Sequence, residues 1–504
     1  MNNNETSDSS ENNNTAFRDF YPVNQPYGFV GIEINEDSGI LKYHTVEPTL
    51  SEDEYELLNR IKSLIIDQMD VSLDVIKDPE QMDAYLRTQV QLLFKKFERN
   101  IPKESEDKFV YYLNRDFLGY GKIDLLMRDE NIEDISCNGV KTPIYVWHRQ
   151  YESIPTNVIY ETEDELDKIV IRLAYRSGRQ ISISHPIMEG TLPEGLRVHL
   201  TLKEVSKRGD TFTIRKFREN PYTVVDLIKN NTISAEIAAY LWLLVEHGRS
   251  VMICGATASG KTTLLNSLSM FIKPEMKVVT IEEVRELRLH ENWIPMVPRF
   301  SYQPGVVEIT LFDLLKSALR QRPDYIIVGE VRGEEAYTLF QAIATGHGGL
   351  CTIHSDTVDY AIKRLLSRPM NIPAMMVPLM NVLLQIRRVN IGDKVMRRAD
   401  TVTEVIGLST SDQVQIEHRF KWDSIDDSYL FQESSGSGES TFKQISNLRN
   451  VPEETLKEEM QKRTLILEWM VTKNINTYAQ VSELVHNYYR NPEEVLTRAR
   501  FEAT

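Results

Sequence analysis

The sequence predicts an α/β fold, with a mixed α+β region preceding a domain built on a parallel sheet. An apolar segment of strand length, Val251–Cys254, is followed by a glycine-bounded loop and by a helical pattern that extends to Phe271. Apolar strand segments and helical patterns then alternate from residue 277 to residue 354, which is typical of parallel strands joined by helices. Between residues 123 and 217, shorter strand patterns accompany a helix, which indicates a separate α+β region.

The composition is that of a large protein with true hydrophobic cores. The chain has 504 residues, of which 41% are hydrophobic, so we expect about two to four domains. Its 74 acidic and 58 basic residues give a formal charge of -16, which disfavours nucleic acid as a partner and favours proteins. Cys137, Cys254 and Cys351 are far apart, which argues against a disulfide framework or a cysteine zinc site and suits a reducing cytoplasm.

The sequence lacks the hydrophobic segments that target a protein to a membrane or anchor it there. The N-terminus has no apolar core of a signal peptide, and no uncharged run of about 18 apolar residues occurs in the chain. We therefore expect any membrane contact to be peripheral and to be made through a partner.

The N-terminal segments are expected to be simple. Residues 1–20 are polar and low in complexity, which predicts a disordered tail. Residues 21–120 contain the strand patterns Gly28–Ile32 and Ile40–Tyr43, which predict a hairpin. Amphipathic helical patterns follow, beginning with a capping box at Ser51, and we interpret their apolar faces as ordinary core.

A basic cluster occurs within residues 121–220, near the strand patterns Leu196–Leu200 and Thr211–Arg215. One interpretation is a solvated charged face. The other is that some of the arginines bind phosphate, because guanidinium groups suit planar contacts with phosphoryl oxygens and can stabilise transferring phosphoryl charge in a neighbouring subunit. The cluster consists of Arg197, Lys203, Lys207, Arg208, Arg215, Lys216 and Arg218.

The loop after Val251–Cys254 has the P-loop pattern, and it lies between a predicted strand and a predicted helix as that pattern requires. Backbone N–H groups of such a loop face an anion, a lysine reaches the outer phosphates, and a hydroxyl can bind Mg²⁺. The sequence therefore predicts a nucleoside triphosphate site rather than a chance glycine turn. Its residues are Gly255, Ala256, Thr257, Ala258, Ser259, Gly260, Lys261, Thr262 and Thr263.

Carboxylates follow two of the later predicted strands. The strand Lys277–Ile281 leads into Glu282, Glu283 and Glu286, and the strand Tyr325–Val328 leads into Gly329 and Glu330. In a parallel sheet these ends lie at the ligand-binding edge, so the acids are placed to hold metal-bound waters or to orient an attacking water. A solvated acidic loop is the alternative interpretation, which we favour less in this context.

Two histidines flank the next strand. The stretch Gly346–His354 contains His347 before the apolar segment Leu350–Ile353 and His354 directly after it. A lone histidine is usually structural. Because His354 is predicted to lie at the edge where phosphates bind, we favour a role as a γ-phosphate sensor or switch.

The four stretches described above, taken in order, resemble the Walker A, Asp, Walker B and His boxes of the type II/type IV secretion ATPase superfamily. The resemblance covers roughly residues 120–410. The stretch Glu291–Trp293 and the absence of a tetracysteine element are similar to the archaeal branch, which drives assembly of pili, related secretion systems and the archaellum. The resemblance implies a PAS-like domain at 121–220, a linker at 221–232 and a RecA-like ATPase domain at 233–410, with ATP and Mg²⁺ bound between the two domains of a homohexamer.

The resemblance also implies roles for individual residues. Pro193–Arg197 and Phe212–Lys216 match the two arginine elements of the family, so Arg197 and Arg215 are the arginine-finger candidates. By family position Glu286 is the general base. Thr262, Glu283 and Glu330 arrange Mg²⁺ and water, and His347 and His354 complete the catalytic set. The Asp box departs from the family pattern, because Glu283 stands where Asp is usual and leaves open which glutamate is the base.

We therefore expect a hexameric ATPase motor that powers a pilus-type filament or secretion system. It would act at the cytoplasmic face of the membrane through a polytopic platform protein. An archaellum ATPase and a DNA-transfer ATPase of the same superfamily are alternatives, and a nucleotide-binding scaffold without turnover is another. Residues 411–504 are expected to form a β-hairpin near Trp422–Phe431 and helices whose default role is core packing.

Overall fold

The structure is a computed structural model that describes residues 17–34, 39–68, 79–96, 102–217, 220–299, 307–392, 394–433 and 439–503. Most of the predicted disordered tail lies outside these residues. The chain divides into two units, residues 1–218 and residues 219–504. Within the described residues, each unit is built on one sheet of nine strands.

The first unit contains strands β1–β9 and helices α1–α5. The strands are β1 Phe17–Asn24, β2 Gly28–Ile34, β3 Leu41–Val46, β4 Ile132–Cys137, β5 Pro143–His148, β6 Glu152–Ile159, β7 Ile187–Thr191, β8 Arg197–Thr201 and β9 Thr211–Arg215. The helices are α1 Glu52–Gln68, α2 Pro79–Lys96, α3 Lys103–Phe117, α4 Asp124–Arg128 and α5 Glu163–Arg176. This set of strands and helices confirms the predicted α+β region. The more specific PAS-like description stays a prediction.

Strand β1 corrects the expected extent of the disordered tail, because residues 17–20 already belong to a strand. β1 pairs antiparallel with β2, and the ring of Phe20 stacks on that of Phe29 with 5.5 Å between their centroids. The Tyr21 hydroxyl donates a hydrogen bond of 2.7 Å to Asp129. Aromatic stacking and a carboxylate therefore hold this segment to the sheet.

The first sheet joins two segments that we expected to be separate. Its order is β1-β2-β3-β6-β5-β4-β9-β8-β7. The predicted hairpin is formed by β2 and β3, and β3 continues into the rest of the sheet through a parallel pairing of Tyr43 with Thr156 on β6. Residues 21–120 and 121–220 thus share one sheet, and the predicted boundary between them is not a domain boundary.

Helices α1, α2 and α3 form an apolar cluster of their own. α1 begins with the predicted capping box, in which the Ser51 N–H donates to Glu54 Oε2 at 2.9 Å and the Glu54 N–H donates to Ser51 Oγ at 3.2 Å. Leu58, Leu86 and Leu113 come from the three helices and are buried together. The apolar faces predicted for these helices are therefore core faces.

The second unit contains strands β10–β18 and helices α6–α15. The strands are β10 Val251–Gly255, β11 Val278–Ile281, β12 Trp293–Met296, β13 Tyr325–Val331, β14 Gly348–His354, β15 Val382–Ile391, β16 Lys394–Leu408, β17 Val414–Asp423 and β18 Ser428–Phe431. The helices are α6 Val224–Lys229, α7 Ala235–Glu246, α8 Lys261–Ser269, α9 Leu311–Leu319, α10 Glu335–Ala344, α11 Val358–Leu366, α12 Thr441–Arg449, α13 Glu453–Thr472, α14 Tyr478–Arg490 and α15 Pro492–Ala503.

The second sheet has the order β12-β11-β13-β14-β10-β15-β16-β17-β18. Neighbours from β12 to β15 are parallel, and those from β15 to β18 are antiparallel. Along β10, Val251 and Ile253 join the core that contains α7 and α8, whereas Met252 and Cys254 join the core that contains α10 and α11. Helices therefore cover both faces of the sheet, which confirms the predicted α/β class.

The C-terminal segment is part of the second unit. The predicted hairpin is formed by β17 and β18, and β17 pairs with β16, so the sheet runs through the predicted boundary at residue 411. Trp469 and Met470 of α13 are buried in the same core as Trp242 of α7, which confirms core packing as the role of this helix. Among the helices in the described ranges, none is both long and apolar enough to cross a membrane.

Candidate nucleotide-binding site

The loop between β10 and α8 has a strained and crowded backbone. Ala258 and Gly260 adopt φ values of 60° and 96°, a region that glycine tolerates best. A Cβ atom at Gly255 would lie 2.4 Å from the carbonyl oxygen of Ile386 and 2.5 Å from Ser259 Oγ, so only glycine fits there. α8 begins at Lys261, and the first N–H groups of a helix have no partner within it. Together these features form a cradle for an anion.

The P-loop lysine is held over this loop. Lys261 Nζ donates hydrogen bonds to the carbonyl oxygens of Gly255 and Ala256 at 2.9 and 2.8 Å. Burial lowers the pKa of Lys261, and the carboxylates of Glu330 and Asp356 act against that shift. The ammonium group therefore lies within electrostatic reach of two acids, Glu330 in β13 and Asp356 after β14. Asp356 is a residue that the sequence analysis did not single out.

The residues of the loop fit the phosphates and cation of a nucleotide. Ala256, Thr257 and Ala258 are exposed at the tip of the loop, and Thr262 and Thr263 are half-buried on the first turn of α8. Mg²⁺ bound to a nucleotide takes phosphate oxygens, waters and a few protein oxygens. The Thr262 hydroxyl, at the base of the cradle, is of the type that such an ion requires.

Strand β14 lies between the P-loop strand β10 and the acidic strand β13. Gly255 and His354 are partners in the parallel register of β10 and β14. Their backbones are therefore about 4.8 Å apart, the spacing of neighbouring strands. The His354 side chain is exposed, and its carbonyl oxygen accepts a hydrogen bond from Arg364. His354 thus lies beside the beginning of the P-loop, at the predicted edge.

His347 lies at the opposite edge of the sheet. It precedes β14, which begins at Gly348 and runs parallel to β10, so the whole strand separates it from the P-loop. Its Nδ1 atom is 2.9 Å from the carbonyl oxygen of Ala342 and 3.2 Å from Thr345 Oγ1. The structure therefore corrects the inclusion of His347 in the catalytic set of its own subunit, because amino and carboxyl ends of a parallel strand cannot reach the same site.

An arginine joins the two acids predicted to arrange Mg²⁺. Arg332 Nη1 lies 2.9 Å from Glu283 Oε1, and Arg332 Nη2 lies 2.9 Å from Glu330 Oε2. The hydrogen bond to Glu330 is the largest of the interactions that raise the pKa of Arg332. The structure thus brings Glu283 and Glu330 together, as expected, and adds a cation between them. A basic residue two positions after Glu330 was the available signal, but its partners could not be assigned from spacing.

Glu330 lies within β13 and not after it. The strand extends to Val331, and its register with β14 shifts between Val328 and Val331, which is the signature of a bulge. The Thr352 hydroxyl of β14 donates to the carbonyl oxygen of Gly329 at 2.6 Å. The bulge turns Glu330 toward Arg332 while the strand continues.

The loop that carries Glu286 is anchored from two sides. Glu282, buried at the end of β11, accepts hydrogen bonds of 3.0 Å from the backbone N–H groups of Glu286 and Leu287. From α14, the Tyr478 hydroxyl donates to the carbonyl oxygen of Arg288 at 2.7 Å. Glu286 is therefore held at the carboxyl edge of the sheet, in the same region as Glu283.

The two arginine-finger candidates are neighbours in the first unit. Arg197 and Arg215 are direct partners in the register of β8 and β9, so their side chains leave the same face of the sheet about 5 Å apart at Cβ. Arg197 pairs with Glu189 at 3.1 Å and Arg215 with Asp134 at 2.9 Å. Both ion pairs are partly exposed, so neither is expected to fix its arginine strongly.

The remaining basic residues do not form one surface. Lys216 is turned inward, with Nζ donating to the carbonyl oxygens of Leu126 at 3.0 Å and Asp129 at 2.6 Å, and burial lowers its pKa to about 8. Lys207 and Arg208 are exposed, and Lys203 lies 3.4 Å from Glu163. Neither the phosphate interpretation nor the solvated-face interpretation therefore applies to Lys216, and Arg218 lies outside the described residues.

Comparison with known proteins places this site in a family. Residues 126–501 match the family described as Type II/IV secretion system protein. The chain belongs to this family. The match includes the P-loop, the acids, both arginine candidates and the C-terminal helices, so the type II/IV secretion family accounts for most of the residues discussed above.

Relatives of this secretion family member come from archaea and bacteria. An uncharacterized protein of Methanocaldococcus jannaschii, MJ0900, is 39% identical over 399 residues, which are 79% of this chain and 72% of that protein. A putative conjugal transfer protein of Mycobacterium tuberculosis, Rv3659c, is 30% identical over 48% of this chain and 71% of its own length. Among solved structures, the ATPase DotB of Legionella pneumophila is 17% identical, with a TM-score of 0.42 over 72% of this chain and 94% of that chain.

Proposed function

We propose that this chain is an ATP-hydrolysing motor subunit that powers a filament-assembly or secretion system. The observation that carries the proposal is the gathering, at one edge of the second sheet, of a P-loop with its lysine and of acids from two other strands. A phosphate cradle alone binds nucleotide. A cradle with acids at the carboxyl ends of other strands of the same sheet has the groups needed to place a cation and activate water.

Each group has a part in the proposed reaction. Lys261 and the loop N–H groups bind the phosphates of ATP, and Thr262 with Glu283 and Glu330 positions Mg²⁺ and its waters. Glu286 takes the proton of the attacking water. His354 senses the γ-phosphate beside the loop.

The first unit supplies the proposed arginines. Arg197 and Arg215 stabilise the charge that develops on the transferring phosphoryl group, and they do so for a site closed by a neighbouring subunit of a homohexamer. Hydrolysis would then be coupled to domain rotation. The family match and the pairing of the two arginines on adjacent strands support this arrangement.

The proposed setting is the cytoplasmic face of the membrane. We place the hexamer there through contact with a polytopic platform protein, with pilin, archaellin or another secreted protein as cargo. The 39% sequence identity to a protein of Methanocaldococcus jannaschii supports assignment to the archaeal branch. The proposal includes an archaellum ATPase. Identifying the membrane protein that co-purifies with the chain distinguishes these cargoes.

The proposal is tested by phosphate release from ATP with purified protein. The unaltered chain is expected to hydrolyse Mg-ATP, and Lys261→Ala to abolish turnover because the phosphates lose their main cation. Glu286→Gln is expected to keep ATP binding, measured with a fluorescent ATP analogue, and to lose hydrolysis. Binding without release of phosphate by the unaltered chain would favour the nucleotide-dependent scaffold instead.

A DNA-transfer ATPase is the second candidate, favoured by the similarity to a putative conjugal transfer protein. The formal charge of -16 disfavours it, because proteins that bind nucleic acid usually present basic surfaces. ATP turnover measured with and without single-stranded and duplex DNA decides between the two. Stimulation by DNA at physiological salt would establish the second candidate.

A further inference from the structure

Glu282 is a charged residue in an unusual place. It follows β11 directly, its side chain is only 3% exposed, and its backbone N–H donates to the carbonyl oxygen of Met296 at the end of β12. Burial raises the pKa of Glu282 to about 7. Carboxylates are rarely buried without a compensating structure, so the surroundings of this group need explanation.

The compensation comes from the loop that carries Glu286. A single oxygen of Glu282, Oε1, accepts the N–H groups of Glu286 and Leu287, each at 3.0 Å. Leu287 is itself buried in the core of the second unit. These bonds close residues 282–287 into a ring, which fixes the direction in which the Glu286 side chain leaves the backbone.

The same side chain packs against the strand that carries Glu330. A Cβ atom at Gly329 would lie 3.3 Å from Cγ of Glu282, so the absence of a side chain at Gly329 leaves the space that Glu282 occupies. Gly329 immediately precedes Glu330 in the bulge of β13. Glu282 is thus in contact with both segments that carry the proposed catalytic acids.

We propose that Glu282 is a positioning residue that sets the proposed general base, Glu286, against Glu330 through its two backbone hydrogen bonds and its packing on Gly329. The proposal rests on the proposed function, because it concerns the geometry of that reaction. Glu282 contacts neither phosphate nor water in this role. It acts only through the loop, and the bonds it accepts depend on an oxygen acceptor and not on a negative charge.

The test compares Glu282→Leu with Glu282→Gln in steady-state ATP hydrolysis. Leucine fills the space but accepts no hydrogen bond, so we expect kcat to fall at least about tenfold while KM for ATP and the stoichiometry of bound fluorescent ATP analogue stay within about threefold. The amide oxygen of glutamine accepts the same two N–H groups, so we expect kcat within about threefold of the unaltered chain. Loss of kcat in both variants, or unchanged kcat in Glu282→Leu, would overturn the proposal.

Asp324→Leu is the control for loss of a carboxylate that accepts a backbone N–H at an exposed position. Asp324 also accepts a backbone N–H, from Lys277 at 2.7 Å, but at the opposite ends of the same two strands. The Asp324→Leu variant is expected to have a lower unfolding temperature and an unchanged kcat. A tenfold loss of kcat in this control would attribute the Glu282 effect to general destabilisation.

Gly329→Ala crowds Glu282 without removing it and is expected to lower kcat with KM unchanged. Absence of turnover in the unaltered chain would count against the proposed function, whereas these variants address only the positioning role.

Discussion

At the scale of single residues, the candidate site is a set of charges that already compensate one another. The Lys261 ammonium is bonded to two carbonyl oxygens, and the Arg332 guanidinium bridges Glu283 and Glu330. These existing contacts keep the two acids close together before a substrate arrives. In the proposed function, a nucleotide with its Mg²⁺ would replace these contacts with its own.

The raised pKa of Glu282 predicts a pH-dependent stability. Its folded pKa of about 7 exceeds the ordinary value of 4.5, so its contribution is fully present below about pH 4.5 and is lost as pH rises through 7, with a cost of about 3 kcal/mol above pH 8. Glu282→Gln removes this titration. We expect the variant to gain unfolding free energy relative to the unaltered chain as pH rises from 5 to 8, measured by denaturant unfolding. A stability difference independent of pH would contradict the prediction.

Residues of the site were predictable where a local pattern defines them. The P-loop from Gly255 to Thr263 follows from its own spacing, and the structure places it between the predicted strand and helix. The role of Arg332 was not predictable, because it depends on the contact with Glu283, which lies 49 positions away in the sequence. His347 was included in the catalytic set because of its motif, and its place before a parallel strand separates it from the P-loop of its own chain.

At the scale of secondary structure elements, the register of β8 and β9 determines how the two finger candidates act. Arg197 and Arg215 are direct cross-strand partners. Because the two side chains leave the same face of the sheet, we propose that they act on the same phosphoryl group.

We expect Arg197→Ala and Arg215→Ala each to lower kcat by about a hundredfold or more, with smaller effects on nucleotide affinity. The double variant should lose much less than the product of the two single effects, because both side chains stabilise the same charge. Lys203→Ala, an exposed member of the same basic cluster, is the control and should keep full turnover. Multiplicative losses in the double variant would show that the arginines act independently.

The elements themselves were predictable to different degrees. The strands at 197–201, 211–215 and 251–255 stand almost where the sequence predicts them, because each is a short apolar or alternating run between turns. The long antiparallel ribbon of β15 and β16 was missed. Its outer part contains Arg387 and Arg388, which are exposed on β15, and Arg398, which is buried on β16, so it lacks the apolar pattern on which strand prediction depends.

At the scale of the whole molecule, the chain has two units, and the proposed reaction needs residues of both. The P-loop and the acids belong to the second unit, and the arginine candidates belong to the first. The proposed homohexamer supplies the arginines from a neighbouring copy, which makes the reaction a property of the assembly.

Mixing two inactive variants tests this arrangement. Arg197→Ala subunits retain the P-loop lysine, and Lys261→Ala subunits retain the arginine. An intact site needs an Arg197→Ala subunit to supply the P-loop lysine and a neighbouring Lys261→Ala subunit to supply the arginine. Random mixing in equal amounts should create such sites at about a quarter of the interfaces, so ATP turnover should reappear if the arginines act in trans. Mixtures of either variant with itself are the controls. No recovery after verified subunit exchange would indicate that each arginine serves the site of its own chain.

The contact between α14 and the loop of Glu286 extends this argument to the far end of the chain. The hydrogen bond from Tyr478 to Arg288 ties that loop to a helix almost 200 positions later in the sequence. A protein ending after α13 would keep every acid, the P-loop and both arginines. Its Glu286 loop would lose the hydrogen bond from Tyr478 and keep those to Glu282 and to Asn266 of α8. The candidate site therefore depends on residues well beyond its sequence motifs. We expect a deletion that removes α14 to lower ATP turnover more than it lowers nucleotide affinity.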